Sequence, residues 1–268
     1  CPVDHDPLPP KVFSALRHCK SIWAMSRFGE RMMREQGLNN ITYVPHGVDT
    51  DVFKPIDRLA AREALGLNPD QFLVLSVAAN KGFPSRKNIH SMLKAWGAWL
   101  RMHPGVDAKF ILHSNPLPVA EYGGLDLAAL CKIYGVPEAN IQFPDVYGDL
   151  MGMYTGATLN AMYNAADVFL LPSAGEGFGI PVVEAQAAGC PVIVTDFSAQ
   201  TELCGSGWLI PVDPMDDLII TYQYSEQAHV RPSLIIEALE QAYEKRGDEA
   251  MRASARTWAM QYDAKHVY

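Results

Sequence analysis

Two glutamates eight positions apart, Glu176 and Glu184, frame the stretch PSAGEGFGIPVVEAQAAGCPVIVTD at residues 172–196. Gly177, Phe178 and Gly179 lie between them, followed by Pro181. Glycines let a ligand approach the backbone closely and leave amide N–H groups pointing outward. A helix with Pro181 at its first position and Gly189 just past its end fits the residue preferences of helix termini. Its start adds unpaired amides and a partial positive charge, so the loop suits an anion. A carboxylate beside such a loop is electrostatically awkward unless it binds hydroxyls. Amides for a diphosphate and carboxylates for ring hydroxyls together suit a sugar phosphate. Each part has a plainer reading alone: Glu184 could serve only the helix dipole, and Gly-rich turns before helices are common in α/β proteins.

A second cluster is cationic. Lys81, Arg86 and Lys87 fall within seven residues, between an apolar run and a helical pattern starting near Asn88. Three cations at the carboxyl end of a strand can hold a diphosphate, Arg in bidentate fashion; in isolation they read as a solvated charge cluster. His113 and Ser114 end another apolar run and are placed to line the same region. His46, in PHGVD, reads as a hinge-turn residue rather than a catalyst. His5, flanked by Asp4 and Asp6, resembles a metal cluster only superficially, because metal ligands need a fixed scaffold and this stretch reads as loop. Metal independence is expected.

These residues need a scaffold, and the apolar pattern supplies one. KSIWAMS at 20–26 reads as a short strand, Ser26 as the cap of the helix RFGERMMREQG, and NITYVPHGVD as a strand running into a turn. From residue 71 strand and helix alternate regularly. FLVLSVAA, AKFILHS, NIQFPDV, DVFLLPS and PVIVTD read as strands, GWLIPV as a possible sixth, and amphipathic helices separate them. Such alternation implies βαβ units in a doubly wound, Rossmann-like parallel sheet. Ligands of such sheets gather at the carboxyl ends of the strands. The 79–88 and 173–180 loops are therefore expected on one edge of a sheet of five or six strands. The expected divisions are 1–45 as the tail of a preceding domain, 46–70 as a linker with a short helix, 71–232 as the binding domain, and 233–268 as C-terminal helices.

Composition agrees with a globular α/β protein. Of 268 residues, 49% are hydrophobic and 19% charged, which argues against disorder. The net charge of −8 argues against a general nucleic-acid binder, although local cations can still hold a phosphate ligand. Five widely spaced cysteines form no Cys-x-x-Cys pair, so reduced thiols and a cytoplasmic setting are expected. No apolar run approaches the roughly 20 residues of a spanning helix; surface association with a membrane stays open. No Met opens the sequence and both ends fall in mid-pattern, so a longer protein is expected.

The stretch EGFGIPVVEAQAAGCPVIVTD resembles the Glu-x7-Glu signature of the retaining group 1 (family 4) glycosyltransferases, which have the two-domain GT-B fold. AMYNAADVFLLPS before it, VPHGVDTDVFKP and SVAANKGFPSRKN resemble further segments of that family, in the right order over residues 20–215. The resemblance implies the C-terminal donor domain plus the tail of the N-terminal acceptor domain, the rest of that domain being a missing partner. It implies a nucleoside diphosphate sugar as donor substrate, no separate cofactor, and an unknown acceptor. Glu176 would contact the donor sugar and Glu184 the ribose hydroxyls. The amides of Gly177, Phe178 and Gly179 would face sugar and phosphates, and Arg86 and Lys87 would bind the diphosphate. Glu176, Arg86 and Lys87 are thus the catalytic candidates. The base-contacting loop corresponds by position to Pro144–Tyr147, with Val146 at its centre. A sugar-nucleotide-binding module without catalysis and a GT-B epimerase are the alternatives.

Overall fold

The computed structural model describes residues 1–268. The first part of the chain holds α1 (Pro10–Leu16), β1 (Ile22–Ala24), α2 (Arg27–Glu35), β2 (Ile41–Tyr43) and α3 (Arg58–Ala64). Strands β1 and β2 pair in parallel, Ile22 beside Ile41. Helix α2 starts where Ser26 was read as its cap: the Ser26 hydroxyl accepts the Gly29 amide at 3.0 Å. Its apolar face, Phe28, Met32 and Met33, packs on Ile22 and Ile41 and also on Phe197 and Ala228 from the later chain.

The central sheet follows, with β3 (Phe72–Val77), α4 (Ile89–Met102), β4 (Ala108–His113), α5 (Leu127–Tyr134), β5 (Ile141–Gln142), α6 (Val146–Leu150) and α7 (Gly156–Ala165). It continues through β6 (Val168–Leu171), α8 (Ile180–Ala187), β7 (Val192–Thr195), α9 (Ala199–Leu203) and β8 (Gly207–Ile210). All six strands run parallel in the order β5-β4-β3-β6-β7-β8. Side chains alternate between two cores. Leu73, Leu75, Phe169, Leu171, Val192 and Val194 face one, and Phe72, Val74, Val168, Leu170 and Ile193 face the other. Burial on both faces is why these strands read as unbroken apolar runs. Each such Leu, Val or Phe contributes roughly 1.5–3 kcal/mol on leaving water.

Helices α4, α5 and α10 (Pro232–Glu244) cover one face; α3, α7, α8 and α11 (Glu249–Ala259) cover the other. A short α12 (Ala264–Val267) closes the chain against the segment after β2, where the Val48 amide donates to the Tyr262 carbonyl at 2.8 Å. Three elements were not read from the pattern, one of them in a stretch read as loop. Helix α6 occupies 146–150, capped by Asp145 accepting from Gly148 N at 2.9 Å. Strands β9 (Leu218–Ile220) and β10 (Glu226–Ala228) form an antiparallel hairpin between β8 and α10. Helix α8 begins at Ile180, so Pro181 is its second residue rather than its first.

The strand order reverses direction between β3 and β6. In a doubly wound sheet that switch point opens a crevice beyond the carboxyl ends of the two strands. The loops that leave β3 and β6 carry the Arg86–Lys87 pair and the Glu176 loop.

Candidate functional site

Both loops are held by their own backbones. The Ala174 amide donates to the Arg86 carbonyl at 2.8 Å, and Asn88, in a left-handed conformation at φ 52°, donates its side-chain amide to the Pro172 carbonyl at 2.8 Å. This stitching brings Arg86 and Lys87 onto Glu176. Arg86 reaches Glu176 Oε2 at 2.9 Å and also donates to the Gly175 carbonyl, while Lys87 Nζ reaches Glu176 Oε1 at 2.5 Å. Glu176 is 5% exposed. Burial pushes its carboxyl pKa up, but the two neighbouring cations outweigh that and hold it below the ordinary carboxylate range. The cations read from sequence as a diphosphate clamp and the glutamate read as a sugar ligand therefore form one ion-paired cluster.

The Gly-rich loop is built for close approach, and the first chain segment exploits it. A Cβ on Gly175 would meet the Asp4 carbonyl oxygen at 2.2 Å, and one on Gly177 would meet the Pro2 side chain at 2.3 Å. Asp4 lies 3.6 Å from Arg86 Nε, and His5 Nδ1 lies 2.7 Å from Asp4 Oδ1. No group of three or more such side chains is arranged to hold a metal ion. The stretch read as loop from sequence thus forms one wall of the site, pinned by the Asp6–Glu226 bridge to β10. The amides of Gly177, Phe178 and Gly179 donate to no protein group. Phe178 packs edge-on between His46, 5.3 Å between ring centres, and Tyr262, 5.6 Å. His46, read as a hinge residue, therefore also borders the site.

Arg86, Lys87, Glu176 and residues 177–181 enclose a cleft of about 470 Å³ with Pro2, Asp4 and His46 on its walls. A second cleft of about 370 Å³ adjoins it, sharing Lys87 and Pro181 and lined by His113, Ser114, Pro144 and Asp149. His113 Nδ1 and Ser114 Oγ are buried there without a hydrogen-bond partner. Burial lowers the His113 pKa, so the ring is neutral at ordinary pH. Val146 opens α6 beside this cleft; its neighbours Pro144 and Asp149, rather than Val146, form the wall. Glu184 lines neither cleft. It stands one turn into α8, its Oε2 accepting the hydroxyl of the wholly buried Tyr163 at 2.9 Å, and burial raises its pKa. Lys81 leaves the cationic group: its Nζ lies 4.6 Å from the centre of the Tyr122 ring. The pattern missed Asp4, Tyr163 and Tyr262, whose places depend on contacts between distant segments.

The sequence model of the group 1 glycosyl transferases matches residues 73–221. The chain belongs to this family. Over 153 residues it is 31% identical to a D-inositol 3-phosphate glycosyltransferase of Segniliparus rotundus, covering 57% of this chain and 31% of that protein. The same enzyme of Acidothermus cellulolyticus is 31% identical over 171 residues, covering 63% of this chain and 36% of the relative. The chain thus spans about a third of the length of these relatives. Among solved structures, sucrose-phosphate synthase of Thermosynechococcus elongatus superposes with a TM-score of 0.72 at 19% identity, covering 95% of this chain and 57% of that one. Anabaena HepE, solved with UDP and glucose, gives 0.68 at 18% identity, covering 98% and 67%. The six-stranded parallel sheet is that of the C-terminal domain of GT-B glycosyltransferases. No helix is long and apolar enough to cross a membrane.

Proposed function

We propose that this group 1 glycosyltransferase transfers a hexose from a nucleoside diphosphate sugar to an acceptor, with retention of anomeric configuration. One observation carries the reading. Lys87 and Pro181 border both clefts, the one with unpaired amides at 177–179 and the one with unpartnered His113 and Ser114. A diphosphate at that junction places the sugar among Arg86, Glu176 and the Gly-rich loop, and the nucleoside toward His113, Ser114 and the Pro144–Tyr147 stretch.

The chemistry follows from that placement. The bond from the sugar's anomeric carbon to the β-phosphate oxygen breaks, its electron pair staying on the phosphate. An acceptor hydroxyl oxygen replaces it on the same face, and its proton passes to the leaving diphosphate. Lys87, Arg86 and the amides of residues 177–179 meet the developing charge with donors already in position. Glu176, kept ionised by the same cations, accepts from sugar hydroxyls. Glu184 lies outside both clefts, behind Pro181 on the first turns of α8, and accepts from ribose hydroxyls where the ribose extends past Pro181, with Tyr163 orienting the carboxylate.

Calorimetry with nucleoside, monophosphate, diphosphate and diphosphate sugar tests this division. Losing either cation should weaken diphosphate binding roughly ten- to a hundredfold, since a hydrogen bond to a charged group is worth about 1.5–3 kcal/mol. Nucleoside binding should hardly change. Arg86→Lys should restore only part of the affinity, because an ammonium cannot copy a planar fork. Equal losses across all four ligands would show that the loop acts structurally.

A further inference from the structure

Residues 196–198 lead from β7 into α9. Ser198 is 4% exposed and sits at φ 57°, ψ −143°, a backbone conformation that residues other than glycine rarely adopt. A serine at the start of a helix ordinarily offers its hydroxyl to an amide of that helix, as Ser26 does for α2. Ser198 caps nothing in α9. Its hydroxyl oxygen instead accepts the amide of Glu176 at 2.8 Å, and the next amide, that of Ala199, donates to the Glu176 carbonyl at 3.3 Å. Both backbone groups of Glu176 are thereby held from one point of the fold. Neighbouring side chains hold the stretch before it: Thr195 Oγ1 donates to the Ser173 carbonyl at 2.8 Å, and Gln200 Nε2 to the Leu171 carbonyl at 2.6 Å.

We propose that Ser198 is a positioning residue of the donor site: its hydroxyl fixes the Glu176 backbone, and through it the carboxylate on Arg86 and Lys87 and the free amides of residues 177–179. Thr195 and Gln200 grip the strand end and the first residues of the loop, whereas Ser198 and Ala199 grip Glu176 itself. Backbone strain of this kind persists only where the surrounding structure enforces it, and it collects at ligand sites. A glycine at 198 would remove the strain but would leave the Glu176 amide without its acceptor. The hydroxyl is therefore what the strained serine contributes. Its bond also divides the loop. The Glu176 amide is turned to the protein, while those of residues 177–179 donate to no protein group and stay open to a ligand. The positioning of Glu176 stands on these contacts; its consequence for a nucleoside diphosphate sugar rests on the function proposed above.

Two variants of the whole 268-residue chain separate the hydroxyl from the strain. Ser198→Ala loses the acceptor and keeps a Cβ; Ser198→Gly loses both, so it should melt higher than Ser198→Ala. Without ligand, NMR titration of the Glu176 carboxyl should move up toward the ordinary carboxylate range in both variants, as the hold of Arg86 and Lys87 loosens. Calorimetry then compares uridine, guanosine and adenosine diphosphates, their hexose conjugates and the free nucleosides. Binding of the diphosphate sugar should weaken on the order of tenfold in both variants, about what one hydrogen bond contributes, with nucleoside binding unchanged. Equal affinity losses in two variants of unequal stability mark positioning. An unmoved Glu176 titration in both variants, or affinity losses that follow the melting order so that Ser198→Gly binds as the wild type does, overturns the proposal. A titration that moves up in both variants of a chain that binds no nucleotide keeps Ser198 as the residue that positions Glu176 and sinks the donor reading.

Discussion

Glu176 holds the two cations proposed to bind the diphosphate, and this makes it the residue on which affinity and turnover should part company. Glu176→Gln leaves a side chain that still hydrogen-bonds but no longer neutralises Arg86 and Lys87. Free nucleoside diphosphate should then bind at least as well as to the wild type, and up to roughly tenfold tighter, the equivalent of one charge contact of about 1.4 kcal/mol. Transfer or donor hydrolysis should fall, because the sugar loses its ionised partner. Calorimetry beside a turnover assay reads both, and a loss of diphosphate affinity would mean that Glu176 chiefly positions Arg86 and Lys87 for the phosphates. The same carboxyl predicts an acid signature. Its folded pKa lies below its unfolded one, so its stabilisation is present above the ordinary carboxylate range and is lost as pH falls through the folded value. Urea melts of Glu176→Gln should show a flatter acid limb than the wild type.

Glu184 behaves in the opposite sense. Burial raises its pKa and the Tyr163 hydroxyl opposes that rise. If, as proposed, the ionised form accepts ribose hydroxyls, donor binding should weaken as pH falls through the raised value. Tyr163→Phe removes the opposing hydrogen bond, which should move that loss to higher pH. A diphosphate sugar is the right probe, because its phosphates carry no proton that titrates near neutrality. Superimposable pH profiles for wild type and Tyr163→Phe would show that Tyr163 only fills space. The Glu-x7-Glu spacing made Glu184 visible in the sequence. Tyr163, 21 residues earlier on another helix, had no such signal.

At the scale of elements, legibility followed burial. Strands β3 to β8 were readable because both faces are buried and the residues are apolar throughout. Hairpin β9–β10 was not: each strand has three residues, Ile219 and Ile220 are exposed, and neither run is long enough to show a period. The wall formed by residues 1–6 was also hidden, because loop composition does not reveal what a loop lies against. The glycines make this difference testable. A Cβ at Gly97 in α4 would strike the Tyr134 carbonyl oxygen at 2.3 Å, backbone against backbone inside a helix contact. Gly97→Ala should cost about 1–3 kcal/mol as an overpacked site and lower the melting temperature by several degrees, with donor affinity of the folded protein intact. The Cβ of Gly177→Ala meets Pro2, in a segment outside any helix or strand. Its melting temperature should change less, while donor affinity falls as the loop and the first segment move apart. Gly177→Ala with unaltered affinity and a melting loss equal to that of Gly97→Ala would place that loop outside the binding site.

Across the whole molecule the early lobe and the sheet domain share structure. The core of α2, β1 and β2 includes Phe197 and Ala228, Asp6 pairs with Glu226, and Val48 bonds the C-terminal segment. Any ligand that binds only this folded arrangement stabilises it by RT ln(1 + [L]/Kd), about 2.7 kcal/mol at a hundredfold excess over Kd. For a chain of this size that is a rise of roughly 5–10 °C in melting temperature. Nucleoside diphosphate and its sugar should give it, and nucleoside much less, if the cations and free amides act on the phosphates as proposed. Hydrogen exchange should then register the ligand far from the clefts: amides of β1 and β2 should gain protection together with those of β3 and β6. The reason is mechanical continuity, since the segment at residues 2–6 lies against the Gly-rich loop at one end and leads into α1 and β1 at the other. Protection confined to β3, β6 and their loops, with β1 and β2 exchanging as without ligand, would show that the early lobe opens independently and that its contacts with the site are not part of the bound state.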